Sequence, residues 1–231
     1  MHLVIFDIDG TLTQTTQVDD QCFIQSFVDE LGIEGINTDW SRYPTVCDSG
    51  ITQHIFREYL QRGPTLDEVP RLQRRFVALL EDAYCQEPRH FVEIPGARRA
   101  IHALRQDTDY RVAIATGGWK LSALLKLAKA QIDITGLPAA FADHGITREV
   151  IIAAAMAMAR GIYRQQQFSH VTYVGDGVWD VRAARQLGIN FIGVAQGEKE
   201  TALRAEGATA IIQDFTNLVH FREVLKELRY G

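Results

Sequence analysis

Apolar residues in this chain come in short, sharply ended runs. The first, Leu3-Val4-Ile5-Phe6, stops at Asp7-Ile8-Asp9-Gly10-Thr11. Runs of this kind predict strands over His2–Phe6, Val112–Thr116, Ala140–Ala142, Val171–Val174, Phe191–Val194 and Ala210–Ile212. Most are separated by stretches with helical spacing, among them Leu121, Leu124, Leu125, Ala128 and, further on, Ile151, Ala154, Ala155, Met158. Strands alternating with helices predict an α/β fold, a parallel Rossmann-like sheet with helices on both faces.

Between Thr16 and Glu87 this alternation lapses. No strand pattern is present there, and helical periodicity recurs over 18–31 (Ile24, Phe27, Val28, Leu31), 52–60 (Ile55, Phe56, Tyr59, Leu60) and 66–84 (Val69, Leu72, Phe76, Leu79). The expected organisation is a sheet core of residues 1–15 and 88–231 with a helical subdomain, 16–87, inserted after the first strand. Thr13–Thr16 on one side, and Pro88 and Pro95-Gly96 on the other, punctuate its edges. There is no internal repeat and no low-complexity tract.

Composition narrows the function classes. The 231 residues are 46% hydrophobic and 23% charged, enough for a sizeable core. The formal charge of −5, without any long like-charge block, argues against a nucleic-acid partner. Arg71, Arg74 and Arg75 read as a solvated helix face. The longest apolar stretch, Val150 to Ala159, is half of the roughly 20 residues that a membrane span needs, so no membrane association is expected. Met1 leads directly into the first strand without a targeting pattern, and the expected location is the cytoplasm. Cys22, Cys47 and Cys85 are odd in number and widely spaced, which reads as free thiols in a reducing compartment. Oligomeric state is not readable from these residues.

Candidate chemistry gathers at strand ends, where open α/β sheets bind ligands. Because side chains alternate along a strand, Asp7 and Asp9 project to one side, and two close carboxylates call for a cation or a shared proton. Asp-Gly is also hairpin punctuation, but a helical pattern follows here and not a second strand. Thr116-Gly117-Gly118 ends a strand before a helix, so the Thr116 hydroxyl and the backbone N–H groups at Gly117 can hold a phosphate oxygen; a plain strand-to-helix turn is the alternative. Gly175-Asp176-Gly177-Val178-Trp179-Asp180 ends another strand. Asp176 and Asp180 fit a direct ligand and an outer anchor for a hard cation, with a helix N-cap the alternative for Asp180. Arg148, at the start of the preceding helix, would offset this negative charge, or be an ordinary surface arginine. Thr45 to Thr52 is a candidate specificity loop, or simply a helix start capped by Asp48 or Ser49. Trp119 and Trp179 either shape the entrance or pack.

These motifs, in this order, resemble the haloacid dehalogenase (HAD) superfamily of phosphohydrolases over nearly the whole chain. Asp7-Ile8-Asp9-Gly10-Thr11 matches the first motif, D-x-D-G-T, Thr116 the second, and Gly175 to Asp180 the fourth, G-D-x-x-x-D. The inserted helices look like the C1 cap of phosphoglycolate-phosphatase-like and phosphonatase-like members. The third motif is usually Lys, and Arg148 stands where it should fall; a planar fork of fixed charge differs from a compact ammonium.

The resemblance implies a Mg²⁺-dependent phosphatase acting on a small phosphorylated metabolite through an aspartyl-phosphate. Asp7 would be the nucleophile and Asp9 the general acid and base, with Thr116, Gly117 and Arg148 on the phosphate oxygens. Mg²⁺ would be held by the Asp7 carboxylate, the Asp9 carbonyl and Asp176, with Asp180 orienting the shell. An acid at position 9 separates this chain from relatives that cleave carbon–phosphorus bonds and from the dehalogenases. The alternatives are a sugar-phosphate mutase of the same fold and a catalytically weak phosphate-binding regulatory protein.

Overall fold

A computed structural model describes residues 1–229. Six parallel strands form one sheet: β1 (His2–Phe6), β2 (Tyr110–Ala115), β3 (Ala139–Ala140), β4 (His170–Gly175), β5 (Asn190–Val194) and β6 (Ala210–Ile212), in the order β3-β2-β1-β4-β5-β6. The strand positions match the expectation from the apolar runs, with ends displaced by one or two residues. Thr116 lies just past β2, where its N–H still donates to the Ala140 carbonyl at 3.1 Å.

Nine helices accompany the strands among the described residues. Four of them fall between β1 and β2: α1 (Thr16–Leu31), α2 (Asp48–Leu60) and α3 (Glu68–Gln86) in the inserted stretch, then α4 (Ala97–Gln106) leading into β2; the others are α5 (Lys120–Lys129), α6 (Arg148–Ile162), α7 (Val178–Leu187), α8 (Glu198–Ala205) and α9 (Leu218–Glu227). None is long and apolar enough to cross a membrane.

Alternation along the strands divides the core. Leu3, Ile5, Ala113, Ala115 and Tyr173 face one side, where Ile151, Ile152, Ala155 and Ala159 of α6 cover them. Val4, Phe6, Val112, Ile114 and Val174 face the other, against Ile101 and Leu104 of α4 and Phe221 and Leu225 of α9. The first of these clusters continues into the inserted helices. Trp119, ahead of α5 and almost fully buried, meets Phe23 of α1 with ring centroids 5.5 Å apart and Phe76 of α3 at 6.3 Å. Such aromatic pairs contribute about 0.5–1.5 kcal/mol each beyond their area. Trp119 is therefore a packing residue.

Residues 12–14 and 92–94, which lead into and out of the three helices, run side by side: Ile94 N–H donates to the Leu12 carbonyl and Gln14 N–H to the Val92 carbonyl, at 2.8 and 2.9 Å. One expected helix face is corrected. Leu121 and Leu124 of α5 are exposed, while Ser122, Ala123, Lys126 and Leu127 are buried.

Candidate active site

In this strand order the connections run one way from β1 to β2 and β3 and the other way from β4 to β5 and β6. The crevice at the reversal, beyond the carboxyl ends of β1 and β4, is where ligands bind in open α/β sheets. Phe6 pairs with Val174 across the two strands, so Asp7 and Asp176 emerge next to each other, and Asp7 N–H donates to the Val174 carbonyl at 2.9 Å. A carboxylate oxygen from each of Asp7, Asp176 and Asp180, all buried, lies within 4.8 Å of the others. Residues far apart along the chain thus converge.

Local backbone geometry allows this approach. Gly10 has φ +74°, and a Cβ there would stand 2.0 Å from Asp176 Oδ2, so position 10 requires glycine both for its left-handed turn and for the space. Gly117 similarly leaves room for Arg148, whose guanidinium carbon would lie 2.7 Å from an added Cβ. Arg148 is the first residue of α6, where Thr147 accepts the Val150 N–H. That placement turns its side chain inward, and Nη1 donates to Asp7 Oδ1 at 3.0 Å while Nε lies 3.4 Å from Asp180 Oδ1. The surface alternative for Arg148 is not what the chain adopts. Asp180, the third residue of α7, accepts the Gly177 N–H through Oδ2 at 3.0 Å, so the cap residue itself is Gly177.

Asp9 looks the other way. Its Oδ1 accepts from Thr15 Oγ1 at 2.5 Å and its Oδ2 from Lys126 Nζ at 2.6 Å. Lys126, fully buried in α5, also donates to Asp19 of α1. Thr116 Oγ1, Lys126 Nζ and Asp9 Oδ2 all lie 3.7–3.8 Å from the Cβ position of Gly118. Thr116, Gly117, Arg148, Asp7, Asp9 and Asp176 border one cavity of about 290 Å³, so the motif residues are brought together, with Asp180 directly behind.

Burial sets the protonation of these acids. It raises Asp7, opposed by Arg148 and reinforced by the Asp9 charge; it lifts Asp176 to about 6 against the pull of Lys199, and Asp180 to about 8 against that of Arg148. Asp19 is driven well up by burial and then by Asp9, with Lys126 opposing. Burial alone would lower the Lys126 ammonium, but Asp19 and Asp9 outweigh it and hold the group well above its ordinary value.

A divalent cation fits the cluster of Asp7, Asp176 and Asp180. Three hard oxygen donors converge, their burial disfavours uncompensated charge, and Asp180 Oδ1 is buried without a hydrogen-bond partner.

Several residues at the cavity carry no sequence motif. Lys199 of α8 donates to Asp176 Oδ2 at 2.7 Å, and Asp19, Asp20 and Trp40 border the space from the inserted segment. Lys126 had one available signal, since it is in phase with Ser122 and Ala123 on the buried face of α5. Lys199, mostly exposed, had none. In the candidate specificity loop, the cap position of α2 is Cys47 and not Asp48 or Ser49. Asp48 instead donates its N–H to the Gly117 carbonyl and accepts the Trp119 N–H through Oδ2, both at 2.7 Å, which ties α2 to the loop after β2. Burial raises its carboxyl to about 7, with Lys126 opposing. Trp179 borders the cavity.

No curated protein matches the chain by sequence. Among solved structures, it is similar to a hydrolase from Pseudomonas syringae (TM-score 0.70, 20% identity, covering 96% of this chain and 98% of that one). It is also similar to a phosphonoacetaldehyde hydrolase like protein from Oleispira antarctica (0.68, 16%, 100% and 94%). A third, a HAD family hydrolase from Deinococcus radiodurans R1 with bound phosphate and sodium, aligns at 0.56 with 20% identity over 98% and 95%. At these identities the likeness concerns the fold. The family model of haloacid dehalogenase-like hydrolases matches residues 1–188, and with the converging aspartates at the sheet's reversal point this chain belongs to that family of hydrolases.

Proposed function

We propose that this hydrolase is a Mg²⁺-dependent phosphatase that cleaves a small phosphate monoester through an aspartyl-phosphate on Asp7. The reading is carried by one observation, the convergence of Asp7, Asp176 and Asp180 beside Arg148 in a cavity that also exposes Thr116 and Gly117. The ion would be held by Asp7, Asp176 and Asp180 and the Asp9 carbonyl; when bound, it shields the phosphate dianion from the charge of the nucleophile.

An Asp7 oxygen bonds to phosphorus as the ester P–O bond breaks, and Asp9, which enters this step in its protonated form, delivers that proton to the departing oxygen. Water then attacks phosphorus, Asp9 takes up the water's proton, and the bond to Asp7 breaks to release phosphate. Thr15 and Lys126 fix the plane of the Asp9 carboxyl through its two oxygens. Arg148 and Thr116 stabilise the equatorial oxygens where negative charge spreads. In the free protein Arg148 is engaged by Asp7.

Purified protein given p-nitrophenyl phosphate tests the reading. Release of p-nitrophenol that requires Mg²⁺ and stops with a chelator is expected. No release, or release that ignores the chelator, overturns it.

A further inference from the structure

On one side the cavity is bordered by residues of α1, by Trp40 and by the start of α2. Its walls are two aromatic rings, Phe23 and Trp40, nearly perpendicular with centroids 6.2 Å apart, together with apolar Val46 and Ile51. Asp20 adds a carboxylate there, beside that of Asp48, which is tied to the loop after β2 by the Trp119 N–H. Trp40 Nε1 donates to Asp20 Oδ1 at 2.8 Å and fixes the carboxylate. Its Oδ2 has no protein partner among the described residues.

Acids outnumber cations on this side: Asp19, Asp20 and Asp48 border it, and the positive charges that reach Asp20, Lys126 and Lys199, are each already engaged by another carboxylate. The cations bordering the cavity are Arg148 and Lys199, held by Asp7 at 3.0 Å and Asp176 at 2.7 Å. Lys126 lies behind Asp9, enclosed by Asp9 and Asp19. A leaving group bearing a second anionic group would be desolvated against Asp19, Asp20 and Asp48, whose neighbouring cations Lys126 and Lys199 are already paired, an unfavourable arrangement. A cationic group would instead meet the Asp20 carboxylate beside the rings of Trp40 and Phe23, surroundings that suit an ammonium ion.

We propose that the substrate is a phosphate monoester whose leaving group carries an amine or quaternary ammonium and no second anion, with Asp20 and Trp40 as the specificity-determining pair; this rests on the phosphatase reading. Burial raises the Asp20 carboxyl to about 6, the Trp40 hydrogen bond opposing and the Asp9 charge reinforcing, so near neutral pH it is available as a carboxylate.

The test is kcat/KM with Mg²⁺ for aminoethyl phosphate, hydroxyethyl phosphate and phosphoglycolate, three esters of similar size whose leaving groups are cationic, neutral and anionic. p-Nitrophenyl phosphate reports on the chemistry itself. Aminoethyl phosphate is expected to exceed phosphoglycolate by about tenfold or more, with hydroxyethyl phosphate between them. Asp20→Asn should narrow that ratio by about tenfold, a charge-specific change that a general packing defect, lowering all substrates together, would not produce. Phosphoglycolate turned over as well as or better than aminoethyl phosphate, or an unchanged ratio in Asp20→Asn, overturns the proposal. Turnover of p-nitrophenyl phosphate with an anion-first order overturns it alone. No release from any of the four removes the phosphatase reading and this proposal with it.

Discussion

Single residues in this site have separable duties. Asp7→Asn keeps the volume and removes the nucleophile, so Mg²⁺-dependent hydrolysis should become undetectable in a continuous phosphate-release assay. Asp9→Asn keeps the partners Thr15 and Lys126 within reach but cannot carry the proton, and kcat should fall about 10²–10⁴-fold. Gly10→Ala acts through the backbone. Its left-handed φ costs a side chain about 1–2 kcal/mol, and the added Cβ displaces Asp176, so chemical denaturation should show that loss together with weaker Mg²⁺ binding by calorimetry. Unchanged Mg²⁺ affinity would mean that Asp176 is not a ligand. At this scale the motif acids were legible because their strand-end positions and spacing are a local pattern. Lys199, Asp20 and Trp40 were not, because their significance comes only from what the fold sets opposite them.

At the scale of elements, α5 does more than cover the sheet. Lys126 joins it to Asp9 after β1 and to Asp19 of α1, and Asp48 of α2 reaches back to the loop ahead of it. Lys126→Met would leave buried carboxylates without their cation, a loss of about 3–5 kcal/mol. Because the Asp19 carboxyl is already raised and can take up a proton, the loss should shrink as pH falls, which urea denaturation near pH 8 and near pH 5 would reveal. An equal loss at both would mean that packing, not charge, is what Lys126 supplies. The periodicity of α5 pointed to Leu121 and Leu124 as its inner face, and the fold buries Lys126 instead. Apolar spacing assumes that burial follows hydrophobicity, and three neighbouring carboxylates reverse that preference for one lysine. The periodicities of α3 and α6 carry no such conflict, and Leu72, Phe76, Ile151 and Ala155 are buried as their spacing predicts.

Across the whole molecule the strand order creates one point where β1 and β4 end side by side, and burial of the acids gathered at and around it raises their carboxyls. Asp176, Asp48 and Asp180 are raised to about 6, 7 and 8. Raised carboxyls favour the folded state while neutral, so this contribution is complete below about pH 4 and is lost as pH rises through 6 to 8. Metal-free protein should therefore melt at lower temperature near pH 8 than near pH 5.5. Saturating Mg²⁺ should raise the melting temperature by on the order of 5–10 °C near pH 8, and by less near pH 5.5 where protons compete for the ligands. A shift independent of pH would contradict a carboxylate site. The alternating pattern made the sheet and the inserted helices legible, since each needs only its own stretch of chain. The continuity of packing from the sheet through Trp119 to Phe23 and Phe76 was hidden, because it joins segments whose separate patterns say nothing about each other. The covalent role of Asp7 is tested most directly by acid-quenching the enzyme during turnover of a ³²P-labelled phosphate ester and mapping the protein-bound label. The account predicts label on the peptide containing Asp7, dependent on Mg²⁺ and absent from Asp7→Asn. Label on another residue, or undiminished phosphate release by Asp7→Asn, would contradict it.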